Sequence, residues 1–555
     1  MTKNASDSQA LPAEAELKAE TEKEKTEAAA SPLSSAQEKT APFPFPFPPR
    51  LKYFFLISAA LLPVLWLILL RIIMLSTGEA SGDSYYHMKM AEMGPSVFMA
   101  KEFPWTAISI WNDTFADKEL LYHALLRGTE FVREFLGIRG GPPFHFAAFF
   151  FLLFTGGAFV FAAARLGVSP PLILACSVSG MLLISNFTYR ILMLRPHVFS
   201  LGLLFLACGL LAKGSLKFRG CAIFLLSVFY TWSYSNPHFI VIPTLCFALF
   251  SIRKDSLKAL LLPTLAFVGV LTGLLVHPQF PNSFLIWKLQ SWDALLSPMF
   301  IQEFLGRPGE MRMPSIRWHL SAIPLYVLFY FNLLMLTRLT ERRGFSGISP
   351  NLYAIASFTV LFTGGTFLVL RAVEYASPFN VLLFAMLLPE CVKEDILLPL
   401  RRKQTALLVL IASIGVVCAS FASVHCAAAA KSAEIKPIPE IAKWLKNNVP
   451  EKDAVINADW SDFPVLFYYD DSHRWLWGMD PVFALAASPE ETRALSACRP
   501  GGGPRIIRPD ELFRVLGIRY AVLLAPRRQN AYYLKRSGWM PVYEGEEGWI
   551  FRLTR

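Results

Sequence analysis

The sequence predicts a polytopic α-helical membrane protein of about eleven transmembrane helices with a small C-terminal α/β domain. Three observations carry that prediction. Of the 555 residues, 54% are apolar and 17% charged, where soluble domains carry about 25% charged residues. Apolar runs recur that approach the roughly 20 residues a helix needs to cross a bilayer. After the last run the composition turns mixed, and strand-like stretches bounded by Gly and Pro begin.

In chain order, residues 1–41 are rich in Ala, Glu, Lys and Ser. Such a segment cannot bury enough apolar surface to offset its ordering entropy, so it is expected to be disordered. "PFPFPFPPR" (Pro42–Arg50) follows, and its prolines favour an extended spacer. The tail 1–50 is too long and too acidic for a cleavable signal peptide, so the first apolar run is expected to stay as a helix. The expected spans are 53–75, 144–164, 170–188, 197–212, 220–234, 238–252, 259–276, 320–337, 350–370, 376–392 and 404–425. With the N-terminus in the cytoplasm, the basic clusters at Lys213–Arg219, Arg253–Lys258, Arg338–Arg343 and Lys393–Lys403 fall on one side, as cytoplasmic loops require. That assigns 51–430 to the membrane domain, leaves large outer loops at 76–143 and 277–319, and puts 431–555 outside the cytoplasm. In 431–555, "DAVINADW", "YAVLLA" and "GWIFRL" read as strands, and "IPEIAKWLKNN" and "DELFRVLG" as helices.

The formal net charge of +11 is explained by those cytoplasmic loops. No nucleic-acid motif accompanies it, so nucleic acid is not an expected partner. Of the 8 cysteines, most sit inside apolar runs and read as small packing residues. No CxxC spacing suggests zinc or redox chemistry. The sequence does not decide whether Cys426 and Cys498 pair.

The polar residues point to function. "GDSYYHMKMAEMG" (Gly82–Gly94) follows the first span and puts Asp83, Tyr86 and His87 within one turn of an expected surface helix. "DKELLYHALLRGTEFVREFLG" in the same loop has helical apolar spacing and reads as a second amphipathic helix. Other outer turns bring Arg190, Arg195 and His197, Asn236 and His238, His277, and Arg371 and Glu374. Singly, each has a plain structural reading, such as an i,i+3 ion pair for Arg371 and Glu374. Gathered at one membrane face they describe a cavity, because ionisable groups near hydrocarbon are costly unless they pair or function. Arginines bind phosphate through a fork of donors. A carboxylate beside them can take a proton from an attacking hydroxyl or hold a divalent cation.

"DSYYH" (Asp83–His87) is similar to the DxYYH stretch in the first outer loop of oligosaccharyltransferase catalytic subunits. With the first helix, the loop and its surface helices, the chain from about Leu51 resembles the GT-C class of integral membrane glycosyltransferases. "WSYSNPHF" (Trp232–Phe239) and "HPQFPNSFLIW" (His277–Trp287) also look like bacterial members. "NADWSDF" (Asn457–Phe463) distantly echoes the acceptor-reading WWDYG signature at Trp460 and Asp462. The resemblance implies a GT-C-like bundle in a bacterial inner membrane, with Asp83 catalytic and a metal ligand. Mg2+ or Mn2+ would be the ion, with Glu303 or Glu310 as the second-loop acid, although GT-C enzymes that use polyprenyl monophosphate sugars often work without metal.

The expected function is inverting transfer of a sugar from a polyprenyl-phosphate donor to a lipid-linked glycan or a protein. Asp83 is base or metal ligand. Tyr86, His87, Asn236 and His238 shape the site, and Arg195, His197, Arg371 and Glu374 serve the donor phosphate. Two readings compete. A flippase of lipid-linked intermediates would place its polar groups near the midplane, in broken helices of repeated halves. A non-catalytic assembly protein would tolerate changes in "DSYYH".

Overall fold

The computed structural model describes residues 48–75, 78–138, 143–180, 184–293, 313–397, 404–497, 514, 516–536 and 538–553. Everything from Pro48 onward forms one compact unit. Helix α1 (Pro49–Met74) opens the bundle with Pro49 at its first turn, where a missing N–H costs nothing. The first loop carries α2 (Asp83–Met93) and α3 (Leu120–Phe135). The bundle continues with α4 (Pro143–Arg165), α5 (Pro170–Gly180), α6 (Ser185–Leu192), α7 (Pro196–Ala212), α8 (Leu216–Thr231), α9 (Val241–Asp255) and α10 (Leu261–Leu275). It closes with α11 (Ile323–Arg343), α12 (Pro350–Gly365), α13 (Val373–Lys393) and α14 (Gln404–Ala433).

Six helical segments, those of α1, α4, α10, α11, α13 and α14, are long and apolar enough to cross a membrane, and a seventh span arises if α6 and α7 count as one. The chain is therefore an integral membrane protein. The count of eleven is not reached on this criterion among the described residues, because α5 and α8 are 11 and 16 residues long, α9 is 15 and α12 is 16. The expected span 170–188 does not run through as one helix either. Ile184, just before α6, is extended at φ −138°, ψ 139°, and α6 meets α7 at a bend of 105°. The bend has a local cause. Pro196 starts α7, and a residue before proline is pushed out of the helical region. Arg195 accordingly takes φ −140°, ψ 154°.

The C-terminal region forms a five-stranded mixed sheet in the order β2-β1-β3-β5-β4. Its strands are β1 (Ala454–Asn457), β2 (Arg474–Trp475), β3 (Tyr520–Leu524), β4 (Trp539–Glu544) and β5 (Gly548–Leu553). β1 runs parallel to β2 and β3, whereas β5 is antiparallel to β3 and β4. The three expected strands are present, as is the helix Pro439–Asn448. Most of "DELFRVLG" lies outside the described residues, as do Cys498, Glu303 and Glu310. Cys426 is buried in α14.

Backbone pairing ties this region to the first loop. Glu79 bridges Ile435 in antiparallel fashion. Gly78 permits the approach, since a Cβ there would collide with the Ile435 carbonyl. Farther along, Ala107 and Ile108 donate to the carbonyls of Trp475 and Leu476, so a loop segment lies along the edge of β2. One expectation is corrected here. α2 is not a surface helix: Ser84–Met88, Met90 and Ala91 are all buried. The short helix Phe463–Tyr469 packs over it, with Tyr85 against Tyr468 at 5.4 Å and Tyr469 at 6.0 Å. The apolar face that hydropathy assigns to a membrane surface is covered by protein instead.

Candidate active site

A cavity of about 90 Å³ opens where α2, the α6–α7 bend, the N-terminal side of α13 and the C-terminal region meet. Asp83, the first residue of α2, faces Arg195 at 2.5 Å (Oδ2 to Nη2). The extended backbone at the bend lets the Arg195 side chain reach the cavity rather than follow a helix face. His197 lines the same wall. Its Nε2–H donates to the Arg190 carbonyl at 3.0 Å. Its Nδ1 is buried without a hydrogen-bond partner among the described residues.

Arg371 reaches the cavity from the turn before α13. Glu374 stands behind it, accepting from Arg190 Nε at 2.6 Å and lying 3.5 Å from Arg371 Nε. The i,i+3 pair that plain helix geometry allows is thus present, and it also holds the arginine toward the opening. Tyr234 lies under the Arg371 guanidinium at 5.7 Å from its ring centre, steadied by a hydrogen bond from Tyr375 at 3.3 Å.

His87, one turn along α2 from Asp83, also lines the cavity. Its Nδ1 lies 2.8 Å from His123 Nε2, and His123 Nδ1 lies 2.7 Å from Asp117 Oδ2. The carboxylate can only accept, so His123 donates from Nδ1 and turns a bare Nε2 toward His87. Burial, reinforced by the charges of His123 and Arg195, holds the His87 ring well below the ordinary histidine range. Beside them stands Glu119, 4% exposed, with Oε2 buried and without a hydrogen-bond partner among the described residues. Burial raises its carboxyl above the usual range, against the pull of Lys118. His87, Glu119 and His123 place one ligand atom each within 4.8 Å of one another.

Of the expected residues, Asp83, His87, Arg195, His197, Arg371 and Trp460 meet at this cavity. The others take supporting positions. Tyr86 is buried and stacks on Trp111 at 6.2 Å. Asn236 is buried and accepts from Ser291 at 3.4 Å. His238 packs edge-on against Phe239 at 5.0 Å. Asp462 is gripped by Arg527 at 2.9 Å and does not line the cavity. Asp83, the expected metal ligand, is turned to Arg195 and stands outside the His87–Glu119–His123 group. Sequence reasoning missed Asp117, Lys118, Glu119 and His123, as well as Gln290, Met479 and Asp480 on the cavity wall. One signal was available: Glu119 and His123 are four apart at a helix start and so share a face.

No protein-family model matches the chain, and no curated protein matches it by sequence. Solved structures do. The chain is similar to the Archaeoglobus fulgidus oligosaccharyltransferase in the apo form, with a TM-score of 0.60 and 12% identity over 91% of this chain and 75% of that one. It is similar to ArnT from Cupriavidus metallidurans in the apo state, with a TM-score of 0.55 and 11% identity over 91% and 98%. ArnT bound to undecaprenyl phosphate matches with a TM-score of 0.50 and 11% identity over 90% and 97%. Both proteins are GT-C glycosyltransferases. At such identities the likeness is one of fold, and the chain has the GT-C fold that "DSYYH" and its setting suggest.

Proposed function

We propose that the protein is an inverting membrane glycosyltransferase that moves a sugar from a polyprenyl-phosphate donor to a lipid-linked glycan or a protein on the extracytoplasmic face. The N-terminus lies in the cytoplasm of a bacterial cell in this reading. The membrane domain 51–430 binds the donor, and 431–555 covers the site. The observation that carries the reading is the convergence of Asp83, Arg195, His197 and Arg371 on one cavity at the helix ends. Structural likeness to ArnT bound to undecaprenyl phosphate adds support for a polyprenyl phosphate as donor.

The chemistry follows from the groups present. Arg195 and Arg371 take the donor phosphate and hold its charge as the bond from sugar C1 to phosphate oxygen breaks. Arg195 also holds Asp83. An incoming phosphate competes for that arginine and leaves the carboxylate to the acceptor. Asp83 then accepts the proton of the attacking hydroxyl as its oxygen bonds to C1 from the opposite side. Asp83 thereby acts as base, Glu374 keeps Arg371 in place, and Trp460 lies on the acceptor side. Tyr86, Asn236, His238 and Asp462 support these groups from behind.

The test uses the full chain in liposomes with a panel of polyprenyl-phosphate sugars. Wild type transfers from at least one donor, and Asp83→Asn does not. Undiminished transfer by the variant removes Asp83 from the mechanism. The broken α6–α7 span is a feature a flippase would share; lipid movement across the bilayer without transfer from any donor would favour that reading.

A further inference from the structure

We infer that His87, Glu119 and His123 form a binding site for a late first-row divalent cation such as zinc or cobalt, in preference to magnesium. The site lies beside Asp83 and does not include it.

Two buried imidazole nitrogens 2.8 Å apart cannot both present lone pairs to each other. Either His87 donates an Nδ1–H to the bare Nε2 of His123, or a metal ion takes the place of that hydrogen. Asp117 settles which nitrogen His123 offers. Its carboxylate binds the opposite ring edge at 2.7 Å, the carboxylate–histidine arrangement that orients ring ligands in metal sites. The third group makes the case for an ion over a proton. Glu119 is buried beside the two rings, and its Oε2 has no hydrogen-bond partner among the described residues. An orphaned buried carboxylate oxygen is costly, and a proton shared between the histidines leaves it orphaned. A cation satisfies all three ligand atoms together.

The surrounding charges agree. Asp117, Glu119 and Asp83 offset the cation. Lys118 opposes it, with Nζ 3.9 Å from Glu119 Oε1, but that ammonium is drawn toward Gln290 Oε1 at 2.9 Å. Selectivity follows from ligand chemistry. Two imidazoles and one carboxylate suit zinc and its neighbours, whereas magnesium requires an oxygen octahedron.

The experiment is direct binding of Co2+ to the metal-stripped full chain in detergent, read by its visible absorption, with Zn2+ and Mg2+ as competitors. One Co2+ per chain is expected, displaced by Zn2+ but not by a large excess of Mg2+. His123→Ala and the near-isosteric Glu119→Gln should abolish the signal. Asp117→Asn should weaken it about 10–100-fold, and Asp83→Asn should keep it. A melting curve for each variant reports folding, and Glu119→Gln removes a charge with little change of shape. The inference is overturned if Co2+ fails to bind stoichiometrically, if Glu119→Gln and His123→Ala bind as wild type, or if Mg2+ displaces Co2+. The existence of the site stands apart from glycosyl transfer, and only its use there rests on that reading. Stoichiometric Co2+ binding by a wild type that transfers from no donor would count against the transferase, and transfer by a wild type that binds no Co2+ against the metal site alone.

Discussion

Asp83 meets Arg195 at 2.5 Å, and Asp462 meets Arg527 at 2.9 Å, yet the two ion pairs live in different surroundings. Around Arg527 the donors are matched locally. Both Asp462 oxygens, Asp459 Oδ2 and Ser461 Oγ all accept from it, at 2.9 to 3.3 Å. The Asp83 pair borders open space, and its neighbours include buried polar atoms with no hydrogen-bond partner among the described residues, Glu119 Oε2 and His197 Nδ1. A matched cluster organises the chain, and an unmatched one awaits something from outside. The difference separates structure from function where residue type alone cannot.

The sharpest way to break this contrast is at Asp83. Asp83→Asn should lower transfer by about 10²–10⁴-fold, the usual worth of a positioned base, with an unchanged melting temperature. A comparable fall in stability would make the pair structural after all. Arg371→Gln should cost less, about 10–100-fold in kcat/KM from the loss of one charged hydrogen bond, seen as weaker donor use in titrations.

The matched side predicts the reverse. Arg527→Gln should destabilise by about 2 kcal/mol, since it strands two carboxylates. Limited proteolysis or thermal unfolding reads that loss, and transfer by the folded fraction should fall far less than in the cavity variants. The smallest effect concerns Asp470 and His473, 2.7 Å apart in the C-terminal region. Their bond holds the Asp470 carboxyl below its ordinary range and lifts His473 above its own, although burial alone would push each the other way. The raised histidine contributes fully below its ordinary value and loses the contribution as pH rises through the raised one. The depressed aspartate contributes above its ordinary value and loses it as pH falls through the depressed one. Stability from this pair is therefore greatest between about pH 4 and 6.5 and falls on either side. His473→Gln should remove the alkaline fall, worth about 1 kcal/mol, in melting curves taken across pH.

Much of this was readable beforehand, and the failures have physical causes. Hydropathy located the apolar helices because bilayer and bundle ask for the same side chains. It could not separate a helix lying on a membrane from α2, which lies under protein, because both need one apolar face. "DSYYH" led to the cavity because Asp83 and His87 are one turn apart on a single helix. The Glu119–His123 pair escaped notice because its meaning depends on His87, 36 residues earlier than His123. The pairing of Asp462 was hidden for the opposite reason. Asp462 is close to Trp460 in sequence, but its partner Arg527 is 65 residues away, and no spacing rule joins them.

The loop segment beside β2 has a consequence for assembly. Trp105 donates to the Asp471 carbonyl across 366 residues, and Trp475 donates back to the Trp105 carbonyl. At bacterial and eukaryotic synthesis speeds of about 5–20 residues per second, the first loop waits roughly 20–70 s for this partner. Until then the cavity lacks Trp460, Met479 and Asp480, and α2 keeps its apolar face uncovered. A growing chain can therefore insert its helices long before this cavity is complete, and the last quarter of the polypeptide acts as the closing step of its own biogenesis.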